Sequence, residues 1–406
     1  MTRPRVLVLG AGLQGVCAAL ALSSRGFPVT LLDEAEDCLL RASLRNEGKI
    51  HLGLVYAHDS TFRTADLMLQ SALAFGPLLE DWLARPIDWT ALRSAPFHYL
   101  IAEDSMLPRE ALLEHYERVQ QTWEGLRRSG ATYIGSQPQR LWAEANGNAR
   151  FRGAGSSEVE TAEVSLDLVA LRDLLRGPLH ERAGIDRRYG HRIETLARTA
   201  SGYRAAGVNG DGSWTIDADV VVNSLWGDRL RIDEQLDLRP QRRWMYRLKY
   251  RVLAWIPEAL RALPSLTMVL GQFGDIVVYR SGLAYFSWYP VCRRGSSTDL
   301  AAPEQWARAC RGEVEDEEAR RIAADTLRAF ERIAPGVSAS RVETVDGGVI
   351  VAWGRADIDD PSSELHERHD VGVRADRGYY SIDTGKLTCA PYFAQQLADR
   401  MERDLA

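Results

Sequence analysis

The pattern Gly10-x-Gly12-x-x-Gly15, placed directly after the apolar run Val6-Leu-Val-Leu9, restricts this chain more than any other feature. The apolar run reads as a buried strand, and the small residues after it, among them Ala18 and Ala19, read as a helix from Gln14 to about Ser24. Gly26 ends that helix, and Val29-Thr-Leu-Leu-Asp33 is a second buried strand. Strand, helix and strand in that order imply a parallel sheet. Gly10 permits the tight turn, Gly12 lets backbone amides approach a pyrophosphate, and Gly15 lets helix and strand touch. The helix N-terminus, opened by Leu13 and Gln14, adds partial positive charge. Asp33, with Glu34 beside it, stands where an adenosine ribose is held. The expectation is a dinucleotide site. A glycine turn without a ligand is the alternative, and strand, helix and acid in register argue against it. The pattern alone does not separate NAD from FAD.

The rest of the composition narrows the class. A chain of 406 residues has room for about two to three domains. Its 45% hydrophobic and 26% charged residues are those of a globular protein, and a net charge of -6 argues against a nucleic-acid partner. No apolar run approaches the roughly 20 residues of a transmembrane segment. The basic start and the apolar stretch after it resemble a signal peptide, but Gly10, Gly12 and Gly15 interrupt the stretch, so the expected location is cytoplasmic. Cys17, Cys38, Cys292, Cys310 and Cys389 are scattered without a CxxC pair, which suggests neither a metal site nor a disulfide framework. Of the 50 lysines and arginines, only Lys49, Lys249 and Lys386 are lysine. Against such a bias each lysine calls for a reason, because its compact ammonium shifts pKa in ways that arginine does not.

Further along, a helix is expected from near Ser60 or Thr61, whose hydroxyl would cap it. A strand at Phe97–Ala102, a helix at Arg109–Arg128 and glycine-bearing turns over Ala145–Ser157 follow. A helix over Leu166–Ala183, a strand at His191–Leu196, a hairpin around Gly207–Gly212 and the strand Ala218–Asn223 come next. Residues 239–290 alternate as an antiparallel sheet, and a helix is expected at Glu315–Ile333. The chain closes on a strand, the turn Thr384-Gly-Lys-Leu-Thr388 and a last helix.

Arg41-Ala-Ser-Leu-Arg-Asn-Glu-Gly-Lys-Ile-His-Leu-Gly53 resembles the flavin-side loop of the D-amino-acid oxidase (DAO) superfamily. Its Ser-x-x-Asn and Ile-His-x-Gly elements are most similar to the glycerol-3-phosphate dehydrogenase and L-2-hydroxyglutarate dehydrogenase branch. The turn at 384–388 resembles the Gly-Gly-Lys-(Leu/Trp)-Thr turn of that branch, with Thr384 in place of its first glycine. Where the family has Asn-Ala-Ala-Gly-x-Trp, this chain has Asn223-Ser-Leu-Trp226-Gly227-Asp. The resemblance implies FAD, and an α/β fold with a Rossmann-like FAD-binding domain (residues 1–83, 163–238 and 345–406) and a mainly antiparallel β-sheet substrate domain (84–162 and 239–344).

It also implies roles. Ser43, Asn46, Gly48 and Lys49 would line the flavin, Ile193 and Trp226 would touch the cofactor, and Gly385, Lys386, Leu387 and Thr388 would present amides and a cation to its reduced form. His51 is a candidate general base, or else a structural histidine. Lys249 falls where some amine oxidases place an oxygen-activating lysine, the alternative being a solvated lysine at a strand edge. Arg355 could hold a substrate carboxylate. The expected activity is FAD-dependent oxidation of a CH–OH or CH–NH carbon in a small polar substrate, with oxygen, a quinone or a partner protein as electron acceptor. A flavin monooxygenase is disfavoured by the lack of a Gly-Asp-Ala-x-His-like element. A non-catalytic nucleotide-binding protein would lack the loop at 41–53 and the turn at 384–388.

Overall fold

A computed structural model describes residues 3–145, 149–152, 157–271, 274–358 and 360–405. Of the turns expected over 145–157, residues 146–148 and 153–156 lie outside the described residues. Strand β1 (Val6–Leu9) is buried on both faces, which its unbroken Val/Leu run requires of a central parallel strand. Helix α1 (Leu13–Ser24) follows, its Ala18, Ala19 and Ala21 fully buried, and β2 (Val29–Leu32) pairs parallel to β1 with Val6 opposite Val29. Strands β3 (Ile185–Arg188), β4 (Val220–Asn223), β5 (Gly372–Asp376) and β6 (Tyr379–Asp383) complete a sheet of order β5-β6-β4-β1-β2-β3. Only the β5–β6 pair is antiparallel. The expected α/β class is therefore present, with the last strand and the helix Ala390–Asp404 returned to the first layer.

A three-stranded antiparallel sheet (residues 192–218) packs on one face of this layer, its Ile193, Leu196 and Tyr203 sharing a core with Leu7, Leu9 and Val221. The second large sheet has nine strands drawn from residues 97–101, 142–161, 244–297 and 341–353, and all its pairs are antiparallel except Ser265–Met268 with Phe97–Ile101. Its spine is the pair Trp244–Trp255 and Arg341–Trp353, joined along its whole length. The division between the two sheets therefore falls after Trp353, not at 345. The helix expected from Ser60 or Thr61 is Arg63–Leu83, and its early amide at Thr64 is satisfied by the Asp59 carboxylate at 2.9 Å. The Thr61 hydroxyl accepts from the Arg63 amide at 3.3 Å as expected, and the Asp59 carboxylate two residues earlier adds a second cap.

The loop after β2 is fastened to the large sheet by a buried charge cluster. Asp346 Oδ1 accepts from Arg251 Nε at 2.6 Å and Oδ2 from Nη2 at 3.0 Å, and Arg45 Nε lies 3.3 Å from Oδ2. Arg251 also donates to the Leu44 carbonyl at 2.6 Å. Replacing Asp346 with Asn leaves two buried guanidinium groups without their shared counter-ion. The expected loss is about 3 kcal/mol of folding stability, read by chemical denaturation. Exchanging Arg251 and Asp346 together for Met and Leu is expected to cost less, and an equal or larger cost would show that the charges are not the source of the loss.

Candidate functional site

A cavity of about 700 Å³ runs from the C-terminal ends of β1 and β4 to the inner face of the large sheet. Its nucleotide end is built by absent side chains. Gly10 has φ +94°, and a Cβ there would lie 2.9 Å from the Ser224 carbonyl oxygen. A Cβ on Gly15 would lie 1.7 Å from the Gly10 oxygen, so only glycine lets α1 approach β1. A Cβ on Gly12 would lie 3.1 Å from Ser43 Oγ, which accepts from the Leu13 amide at 2.8 Å. Helix α1 has no side-chain cap on Gly12 and no acid in its first turn, so its positive end faces the cavity. These residues fit the pyrophosphate of an FAD. Gln14 lines the cavity and ties α1 to the last helix, donating to the Ala390 carbonyl at 3.2 Å.

Asp33 lines the cavity at the nucleotide end and has a further role in the turn. Its two oxygens accept from the amides of Ala11 (2.6 Å) and Ala35 (2.8 Å), so it braces the glycine turn. Burial raises its pKa to about 6. Glu34, exposed at the cavity rim, is the freer carboxylate for a ribose. Ile193 and Trp226 line the cavity as expected. Trp226 adopts φ +53° and donates its indole N–H to the Val349 carbonyl at 2.8 Å, so the Asn223–Trp226 segment closes the wall with an indole.

The loop at 41–53 is folded by its own side chains. Asn46 donates to the carbonyls of Ala42 and Ser43 and accepts from the Gly48 amide at 2.7 Å. Gly48 is a packing glycine outside the cavity lining: with φ +71°, its Cβ would sit 2.3 Å from the Leu166 oxygen. Thr388 is likewise fully buried away from the cavity, accepting from the His51 amide at 3.0 Å and donating to the Lys49 carbonyl at 3.2 Å. Gly385, Lys386 and Leu387 do line the cavity.

All three lysines converge here. Lys49 is drawn into a buried pair with Asp275 at 3.1 Å and a bond to Thr267, with its ammonium 3.9 Å from the Phe97 ring centroid. Lys249 is no strand-edge lysine. It lies within Trp244–Trp255, paired on both sides, and its side chain faces the cavity. Burial works against its charge, but Tyr285, Glu47 and Asp275 outweigh burial and raise its pKa. Among the described residues the Lys386 ammonium has no hydrogen-bond or ion-pair partner; burial, then Arg368, lowers its pKa to about 8.

His51 is buried, its Nε2 4.0 Å from Glu47 and its Nδ1 3.9 Å from Glu163. Burial, with Lys386 and Lys49 nearby, pushes its pKa well below the ordinary histidine value. The imidazole is thereby held neutral, a weak base that keeps a free nitrogen lone pair. Arg355 is exposed and outside the cavity lining. The guanidinium inside belongs to Arg368, 8% exposed, bonded through Nε to the Leu365 carbonyl at 3.0 Å and without a carboxylate in ion-pair reach among the described residues. Arg247 also lines the cavity but is committed to Asp357 at 2.6 Å and Tyr289 at 2.7 Å. Sequence reasoning missed Glu47, Asp275, Arg247 and Arg368 as cavity residues. Arginines are too common in this chain to signal a site, and Glu47 was signalled only by its place beside Asn46.

The profile of the DAO family, FAD dependent oxidoreductase, matches residues 5–400. The fold is similar to glycine oxidase from Geobacillus kaustophilus (TM-score 0.66, 16% identity, 99% of this chain and 95% of that one). It is also similar to iminodiacetate oxidase from Chelativorans sp. BNC1 (0.67, 16%, 98% and 95%). Glycerol-3-phosphate dehydrogenase from Bacillus halodurans, solved in complex with FAD, gives 0.55 at 17% identity, covering 99% of this chain and 65% of that one. No curated protein matches the sequence. Among the described residues no helix is long and apolar enough to cross a membrane.

With the Lys386 pKa lowered to about 8, loss of its ammonium above that pH is expected to weaken anion binding in the cavity. Sulfate keeps its charge between pH 6 and 10, so its affinity reports the protein alone. Calorimetric titration is expected to show that affinity falling as pH rises through about 8, where the Lys386 ammonium is lost, by about tenfold or 1.4 kcal/mol in all. Lys386→Met is expected to bind sulfate weakly with a flat profile. A mutant that keeps the wild-type profile would remove Lys386 from the site.

Proposed function

The chain belongs to the DAO family of FAD-dependent oxidoreductases, and on that premise we propose that it oxidises a CH–OH or CH–NH carbon of a small anionic substrate held by Arg368. The observation that carries this reading is a buried guanidinium facing the cavity without a carboxylate partner, beside an ammonium that is also unpaired. A buried cation without a counter-ion is costly, and an anionic ligand relieves that cost through a bidentate contact. FAD, when bound, supplies the two-electron acceptor. Gly10, Gly12, Leu13, Ser43 and the start of α1 would hold its pyrophosphate, Glu34 its ribose, and Asn46, Gly385, Lys386 and Leu387 the surroundings of its ring. Arg368 orients the substrate, and the indole of Trp226 and the aromatic walls keep water out.

Oxygen is the acceptor we favour. Lys249 keeps its charge at the cavity, and a fixed cation stabilises negative charge as electrons pass to oxygen. A cytoplasmic setting is supported by five unpaired cysteines.

The first test is anaerobic bleaching of the bound flavin by glycine, sarcosine, iminodiacetate, L-lactate, L-2-hydroxyglutarate and glycerol 3-phosphate, with glycerol and ethylamine as uncharged-group and cationic controls. At least one anion-bearing donor is expected to bleach the flavin and the controls are not. In Arg368→Met the KM for that donor rises about 100-fold while FAD stays bound, in line with loss of about 2–3 kcal/mol of charge-assisted bonding. Bleaching by the controls alone, or an unchanged KM, would refute the anionic-substrate reading. Separately, Lys249→Met is expected to slow reoxidation by oxygen about 10²-fold and leave the reductive rate within a few-fold. Equal slowing of both half-reactions would count against a role in reoxidation.

A further inference from the structure

We propose that Glu47 is the catalytic residue that takes the proton from the O–H or N–H group of the substrate as that substrate is oxidised. The assignment rests on the reading above, in which a CH–OH or CH–NH carbon is oxidised in this cavity.

The case begins with the carboxylates that line the cavity and what each already does. Asp33 is bonded to two backbone amides, and Asp275 to Lys49 and Thr267. Asp228 is clasped by Arg231 at 2.7 Å, and Glu34 lies 3.5 Å from Arg41. Glu304 is highly exposed at the far rim, near Arg192. Glu47 remains. Its side chain is 18% exposed, it lines the cavity, and His51 Nε2 lies 4.0 Å from its Oε1, beyond hydrogen-bond distance. Among the described residues it has no hydrogen-bond partner.

The position of Glu47 is set rigidly for a loop residue. Asn46 closes a turn around it through the Gly48 amide, Gly48 admits no side chain, and Lys49 is paired with Ser165. His51 walls it on one side, held by its own amide to Thr388 and by edge contact with Tyr56. Burial works against the charge of Glu47, but Lys386, Lys249 and Lys49 outweigh it and hold the carboxyl ionised at neutral pH. Such a carboxylate is a weak base toward an alcohol or an ammonium in solution. It becomes adequate during the reaction: as hydride departs, an alcohol O–H approaches that of a protonated carbonyl, which is strongly acidic, and an ammonium N–H is acidified by the positive charge developing on the carbon beside it. Bound FAD would supply the acceptor for the C–H hydrogen and its electron pair. The proton on oxygen or nitrogen moves to Glu47 Oε, and the electron pair it leaves behind becomes the second C=O or C=N bond.

The test uses the FAD-loaded enzyme and whichever donor of the panel bleaches the wild type. Glu47→Gln keeps shape and removes basicity. Its flavin absorbance is expected to be unchanged, and its affinity for sulfate equal or higher, because a negative charge beside the anion site is gone. Its anaerobic reduction is expected to slow at least about 100-fold. If E47Q loses its FAD, Glu47→Ala with added formate decides: a rate restored in proportion to formate supports the proposal, and no restoration overturns it. A wild type that bleaches, with E47Q within about threefold of it, overturns the Glu47 assignment alone. A wild type that no donor bleaches overturns the reading beneath it as well.

Discussion

The contact on which everything else depends is the one between Gly15 and the carbonyl of Gly10, where a single methyl group would lie 1.7 Å from an oxygen. Because no side chain intervenes, α1 lies directly on β1 with its N-terminus at the mouth of the sheet. There its unsatisfied amides and partial positive charge are turned toward the cavity. The same closeness puts Leu13 within reach of Ser43, so the flavin-side loop is drawn to the helix start. That loop is gripped from the other side by Arg251 and Asp346 of the large sheet. The two sheets are thus coupled through one loop, and the cavity is the space between its two attachments.

Electrostatics decide what this space can hold. Lys49 and Arg247 are spent on Asp275 and Asp357. Lys249, Lys386 and Arg368 remain, and among the carboxylates at this end Glu47 alone is uncommitted. A surplus of positive charge in a poorly solvated site is expensive, since each buried ion loses several kcal/mol of hydration that only a partner returns. Burial, helped by the same surplus, depresses the pKa of His51, and the surplus holds Glu47 ionised against burial, so the acid–base character of the site belongs to the cluster and not to any member.

The nucleotide half of this arrangement was legible in the sequence because it is local. Strand, glycine turn and helix are adjacent in the chain, and glycine spacing maps directly onto backbone approach. The lysine bias was informative for the same kind of reason: scarcity turned each lysine into a signal, and all three proved to face one site. Legibility ended where position depends on distant chain. Gly48 and Thr388 look like flavin contacts, yet one clears the Leu166 carbonyl and the other ties two segments that are more than 330 residues apart. Arg355 and Arg368 lie 13 positions apart in an irregular stretch, and nothing local says which turns inward. The answer comes from Thr64, whose hydroxyl accepts from the Arg368 amide at 2.9 Å, and from Asp59, paired with His369 at 3.1 Å. Asp33 fits its motif, but its short side chain reaches the turn's amides first.

A site with excess positive charge also ties stability to ligands. Removing the pyrophosphate and the substrate anion leaves the cations of the cavity facing one another, and their mutual repulsion is paid by the folded state alone, since the unfolded chain disperses them in water. Any anion that binds the folded protein and not the unfolded chain therefore stabilises it by an amount that grows with the logarithm of its concentration over its Kd, about 2.7 kcal/mol at a hundredfold excess. Marginal stability of a few kcal/mol makes that contribution large. On the proposed reading, the geometry that selects an anionic substrate and the geometry that retains FAD are one design. The glycines open the helix end and the lysines and Arg368 extend its positive field, so cofactor and substrate would be held by contiguous parts of a single electrostatic surface.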